Sequence, residues 1–171
     1  MKTDSYDLFS KILHWSMAFI IIYVSIAGYV MHLLIEASAL HSFLSVLNMS
    51  LATLATPLLV VRYIWKFFRS TPDMPRSISS IQMSIAKLVH SIIYLLMFIV
   101  FLSGYLMLTQ SYSFFWIVDV DNVINNSDIN QFFFTVHRIA CLTLFLAVVL
   151  HVFAVLKHQF IAKNNVLQVM V

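Results

Sequence analysis

The sequence predicts an all-α fold, an integral membrane four-helix bundle forming one domain over residues 1–171. Three observations predict it. The chain is 61% hydrophobic and only 10% charged, more apolar surface than a soluble domain of 171 residues can bury. Four apolar runs each approach the ~20 residues that a helix needs to cross a bilayer. The basic residues gather at the ends of the chain and between the second and third runs, as they do when a chain crosses a membrane repeatedly.

The first run, Ile12–Leu34, starts too late and is too long for the apolar core of a cleaved leader, so it reads as a span. The second, Leu40–Trp65, contains Pro57, which removes a backbone hydrogen bond and predicts a local kink. The stretch RSTPDMPRSISS that follows has two prolines and several serines, a turn-rich connection rather than a domain linker. The third run is Ile85–Leu108. After it, TQSYSFFWIVDVDNVINNSDIN mixes aromatics with Asn and Asp, and predicts either a short cap on the membrane surface or a disordered loop. The fourth run is Phe132–Leu156.

Charge orients this bundle. With both termini cytoplasmic, Lys2, Lys11, Arg62, Lys66, Arg69, Arg76, Lys87, Lys157 and Lys163 all fall on one side. The other side holds only Arg138, against Glu36, Asp119, Asp121 and Asp128. The net charge of +3 therefore reports topology and predicts no affinity for nucleic acid.

The spans lack Glu-x-x-His motifs and nearly all carboxylates, which sets aside a di-metal carboxylate centre. No nucleophile elbow, phosphate loop or zinc spacing occurs. The single cysteine, Cys141, lies in the fourth run, so no intrachain disulfide forms and histidine is the main candidate for metal ligation. Of seven histidines, His14, His90, His137 and His151 sit within or at the ends of spans. An ionisable group there is costly and points to function, the alternative being an interhelical hydrogen bond from a neutral imidazole.

The run HRIACLTLFLAVVLH places His137 and His151 fourteen residues apart, a rise of ~21 Å and a rotation within ~40° of the same face. One ligand near each leaflet suits two redox centres stacked across the membrane. His14 enters the bundle at the same leaflet as His151, so the two can offer axial imidazoles to one haem iron. His90 reaches a similar depth and competes as a partner.

Several short motifs then fall in a recognisable order. They are HW at His14, VVR ending the second span, TPDMP after it, HSIIYLLMFIVFLSGYLM in the third, the His137–His151 pair, and KNNVLQVM at the end. Each is weak alone, but the ordered set resembles the prokaryotic cytochrome b561 family over nearly the whole chain. The resemblance implies a multi-pass cytochrome of the bacterial inner membrane with two b-type haems. One haem would be held by His14 and His151, the other by a helix-two histidine and His137. It also implies electron transfer between a periplasmic or membrane donor and the ubiquinone pool, with quinone, lipid and a redox partner protein as partners. One type in the family oxidises superoxide and delivers the electron to ubiquinone.

Two departures shape the expectation. Counting back from VVR, the helix-two ligand falls at Asn48, a poor axial ligand. His41, seven residues earlier, and His32, at the far end of the first span, are possible substitutes or simply interfacial histidines. One haem b is thus expected to be firmly bound, with the second site empty, partly occupied or atypically ligated. The loop facing a periplasmic substrate is acidic, which weakens steering of an anion such as superoxide. Arg138 could pair with a haem propionate or snorkel to headgroups. Trp15, Trp65 and Trp116, like Lys157 and His158, read as interfacial residues. Two rival functions are a membrane-anchor subunit of a peripheral dehydrogenase and a single-haem or haem-free structural relative.

Overall fold

Four long helices stand where the apolar runs predict them: α1 (Leu8–Leu33), α2 (Ala39–Trp65), α3 (Ser80–Leu106) and α4 (Ser127–Leu156). The computed structural model describes residues 5–36, 38–72, 78–164 and 166–170. Lys2 and the part of the proline-rich connection from Asp73 to Ser77, Arg76 included, lie outside the described residues.

Polar caps explain why three of the helices begin before their apolar runs. The Asp7 carboxylate accepts from the Ser10 backbone N (2.9 Å) and from Ser10 Oγ (2.7 Å), starting α1. Ser79 and Gln82 form a reciprocal capping box at α3, with bonds of 3.3 and 2.9 Å. The Asn126 side chain accepts from the N–H groups of Asp128 and Ile129 at the start of α4. Helix α2 runs through Pro57 as one element.

Helices α1 and α2 form one closely packed hairpin, and α3 and α4 another; the two meet over a sparser seam. Their shared core is Met17, Ile20 and Ile21 from α1, Ala55 and Leu59 from α2, Met97, Val100 and Phe101 from α3, and Ala140 and Leu144 from α4. Outward residues are as apolar as inward ones: Phe19 is 70%, Phe98 59% and Leu150 67% exposed. Such a belt is stable only against lipid.

The connection between α3 and α4 is an ordered cap. Its strands β1 (Tyr112–Phe114) and β2 (Val118–Val120) pair antiparallel, Tyr112 opposite Val120 and Phe114 opposite Val118. Rather than lying flat, the hairpin folds down along α2. The Phe115 N–H donates to Ser50 Oγ (2.7 Å), Tyr112 Oη lies 2.5 Å from Thr53 Oγ1, and Trp116 stacks on Phe43. Ser50 is eleven residues into α2, ~16 Å along its axis. Non-helical backbone at that depth needs internal partners, and Ser50 supplies one. Asn130 Nδ2 donates to the carbonyls of Leu106 and Leu108, satisfying the end of α3 from α4.

Past α4, a wide turn at Lys157–Ile161 and a tight one at Val166–Val169 bring the chain back to the start of α1. There Tyr6 N donates to the Val169 carbonyl (3.0 Å) and Trp15 Nε1 to that of Met170 (2.9 Å). Trp15 thus holds the returning chain. Trp65 Nε1 donates to Ser10 Oγ (3.0 Å), so both terminal segments and the end of α2 share one end of the bundle.

Candidate functional site

All four helices contribute to a polar cluster near the terminal end. His14 lies in the second turn of α1 and Arg62 in the last turn of α2. Arg62 Nη2 is 2.6 Å from His14 Nδ1. A guanidinium has only donors, so Nδ1 accepts and the neutral ring carries its proton on Nε2. The same guanidinium donates through Nε to Tyr94 Oη (3.0 Å). One turn before Tyr94 on α3, the His90 ring meets the His151 ring of α4 edge-on, centroids 5.1 Å apart. His14 stands within electrostatic range of His151, His90, Arg62 and Arg69. His14 and His151 are half-buried, and His90 is exposed. Among the described residues no hydrogen bond engages the ring nitrogens of His151.

His137 belongs to a different neighbourhood, three turns into α4 and away from the termini. Its Nδ1 lies 3.0 Å from the Val100 carbonyl and 3.3 Å from Ser103 Oγ, and its Nε2 is 3.3 Å from Cys141 Sγ. The carbonyl fixes the proton on Nδ1, so the thiol donates to Nε2. The ring rests on α3 at Gly104, where a Cβ would come within 3.0 Å of Cε1. Glycine leaves room for this close approach; a methyl there would push the ring by a few tenths of an ångström. Asn48, on α2, has its amide Oδ1 buried without a hydrogen-bond partner.

The structure therefore brings together His14, His90 and His151 and separates them from His137. His41 lines a cavity of about 420 Å³ with Met49 and the Leu108–Ser113 segment, and His32 is exposed. Neither is among the ring partners of His137. Arg138 stands over the Phe134 ring at 5.6 Å, and His158 pairs with Asn164 at 3.1 Å. Sequence reasoning overlooked Arg62 and Cys141 as site residues. Both left a signal: Arg62 is a cation inside an apolar run, and Cys141 is four residues from His137, one helical turn.

Chemically, the terminal-end cluster suits a chelated metal. Among the described residues no group of three or more His, Cys, Asp or Glu could hold a bare ion. A haem brings four equatorial nitrogens of its own and asks the protein only for axial ligands, which neutral imidazoles from α1 and α4 can supply. The donor set fits that group at His14 and His151, with the proviso that His14 must shed the bond to Arg62 before Nε2 can ligate.

The far half fits less well. The Nδ1–H bond from His137 to a backbone carbonyl is the support that iron-ligating histidines use. However, its Nε2 is engaged by Cys141, and at the α2 position where the family resemblance expects a second imidazole the chain has Asn48.

A search of curated proteins returns no match to the chain. The family model for prokaryotic cytochrome b561 matches residues 5–171. With its four apolar helices and its histidines set among them, the chain belongs to the prokaryotic cytochrome b561 family, whose members are membrane b-type cytochromes of electron transfer.

Proposed function

We propose that this chain carries one firmly held haem b between His14 and His151 and relays electrons singly between a donor and the membrane quinone pool. The observation that carries this reading is the contrast between its two histidine neighbourhoods. Three imidazoles gather near the termini. His137, by contrast, is committed at both ring nitrogens, and Asn48, where the family pattern expects a ligand on α2, has an unsatisfied amide. A bound haem supplies one-electron chemistry at its iron.

The protein's own residues do the rest. His14 and His151 reach the site from antiparallel helices of different hairpins, so their separation is set by the packing of Met17 and Ile20 against the common core. That core excludes water from one side of the site. At the terminal end Trp15, bonded to the Met170 carbonyl, ties the returning chain to α1. His90, packed on the ring of His151, limits its rotation. His90 is also exposed, so a quinone headgroup would find a hydrogen-bond partner there. Charge asymmetry favours termini in the cytoplasm and a location in the bacterial inner membrane.

The test is haem quantified per chain by pyridine haemochrome, with absorption and EPR spectra of the purified protein. About one low-spin haem per chain is expected. His14→Ala and His151→Ala should each abolish the low-spin signal while the chain still inserts, and His90→Ala should retain it. Loss in His90→Ala but not in His14→Ala would overturn the pairing. A colourless wild-type protein would support the haem-free rival, and copurifying soluble subunits the membrane-anchor rival.

A further inference from the structure

Two guanidinium groups near the haem-fitting histidines have no carboxylate in ion-pair contact among the described residues. Among the described residues Arg62 bonds to neutral groups, His14 Nδ1 and Tyr94 Oη. Arg69 lies just past α2, its guanidinium 4.3 Å above the Tyr6 ring and its Nε buried without a hydrogen-bond partner. Arg62 closes the last turn of α2 and Arg69 follows in the turn beyond it, where its backbone N donates to the Trp65 carbonyl (3.0 Å). They oppose each other as like charges, and both act on His14. Asp7 lines a cavity of about 270 Å³ with Arg69, and its carboxylate bonds to Ser10 without forming an ion pair to that guanidinium.

Cations at this depth are costly unless an anion compensates them. Among the described residues no carboxylate stands in ion-pair contact with either guanidinium. Resting on the haem reading above, we infer that Arg62 and Arg69 form the anion-recognising wall of the His14 site and pair with the two carboxylates of an iron tetrapyrrole.

Tautomer chemistry supports the pairing. Arg62 can donate to His14 Nδ1 only while Nε2 bears the proton. A carboxylate attracts a guanidinium more strongly than a neutral imidazole does, because the bond is charge-assisted and can be bidentate. Transfer of Arg62 from His14 to a carboxylate frees Nδ1 to carry the proton and Nε2 to ligate. Carboxylate recognition and axial ligation are thereby coupled through one side chain. Arg62 and Arg69 are positioning residues in this scheme and touch no iron.

The full chain, made in haem-deficient cells and reconstituted in nanodiscs, can be titrated with iron protoporphyrin IX and with its dimethyl ester, empty nanodiscs serving as the partition control. The ester keeps the iron and ring but removes both negative charges. Wild type is expected to favour the diacid by about tenfold or more, the scale of charged hydrogen bonds. The R62Q/R69Q pair should bring that preference close to one, and R62K/R69K should keep part of it.

Equal binding of the two pigments by wild type would overturn the inference and leave the arginines to lipid phosphates. So would a full diacid preference in R62Q/R69Q. Should the glutamine pair fail to fold, the wild-type ratio together with the lysine pair decides. If the preference holds but the loaded protein lacks a bis-imidazole spectrum, the charge pairing stands and the His14–His151 assignment is the part that fails.

Discussion

Asn48→His is the substitution that most directly exposes what distinguishes the two halves of this bundle. The amide Oδ1 of Asn48 is buried and unpaired, a cost of about 1–3 kcal/mol to the native state. An imidazole at that position removes the orphan and offers a second axial nitrogen on α2. His137 would have to leave Cys141, whose thiol is 3.3 Å from Nε2. A thiol is a weak donor, so that bond is worth about 1 kcal/mol, roughly a fivefold change in affinity. Iron ligation exceeds it, and the Nδ1 bond of His137 to the Val100 carbonyl remains to orient the ring.

Asn48→His should therefore raise low-spin haem from about one towards two per chain. Adding Cys141→Ala should tighten the second haem by about that fivefold factor. Haem per chain by pyridine haemochrome, with a redox titration resolving one or two midpoints, reads both effects. Two equivalent bis-histidine haems in the unmodified chain would refute the reasoning. His41→Ala and His32→Ala would then identify the side chain standing in for the missing ligand.

Other outcomes follow from single contacts. Ser50→Ala removes the acceptor of the Phe115 N–H, costing about 1–3 kcal/mol. The turn already holds Phe115 and Trp116 at positive φ (48° and 60°), so amide exchange across residues 112–120 should rise; unchanged exchange would mean that the hairpin is held elsewhere. Gly104→Ala gains up to about 1 kcal/mol of helix propensity, against a few tenths of an ångström of forced movement of His137. Its net effect on thermal unfolding in detergent should stay within about 1 kcal/mol, whereas the bulkier Gly104→Val should lower stability clearly. A topology reporter fused after Val171 should behave as cytoplasmic; a periplasmic result would reverse the assigned orientation.

The sequence by itself determined the number of spans, because a run of apolar residues long enough to cross lipid has no other stable solvent. It also singled out His14, His90, His137 and His151, since an imidazole in such a run is costly, and the family resemblance marked Asn48 through its distance from VVR. The helix starts moved outward because caps such as Asp7, Ser79 and Asn126 are polar and fall outside any apolar run.

Only the tertiary structure decided which groups meet. His14 and Arg62 are 48 residues apart in the chain and bond at 2.6 Å; helical spacing says nothing about that. The hairpin at Tyr112–Val120 turns through Phe115 and Trp116, without the Gly or Asn that marks a left-handed turn in sequence. Its conformation is sustained by Ser50, Thr53 and Phe43 on a distant helix. The return of the chain to Tyr6 and Trp15 is likewise a contact between the two ends of the sequence. Local composition sets which segments enter lipid, but partners far apart in sequence are chosen by packing, and packing exists only in the folded bundle.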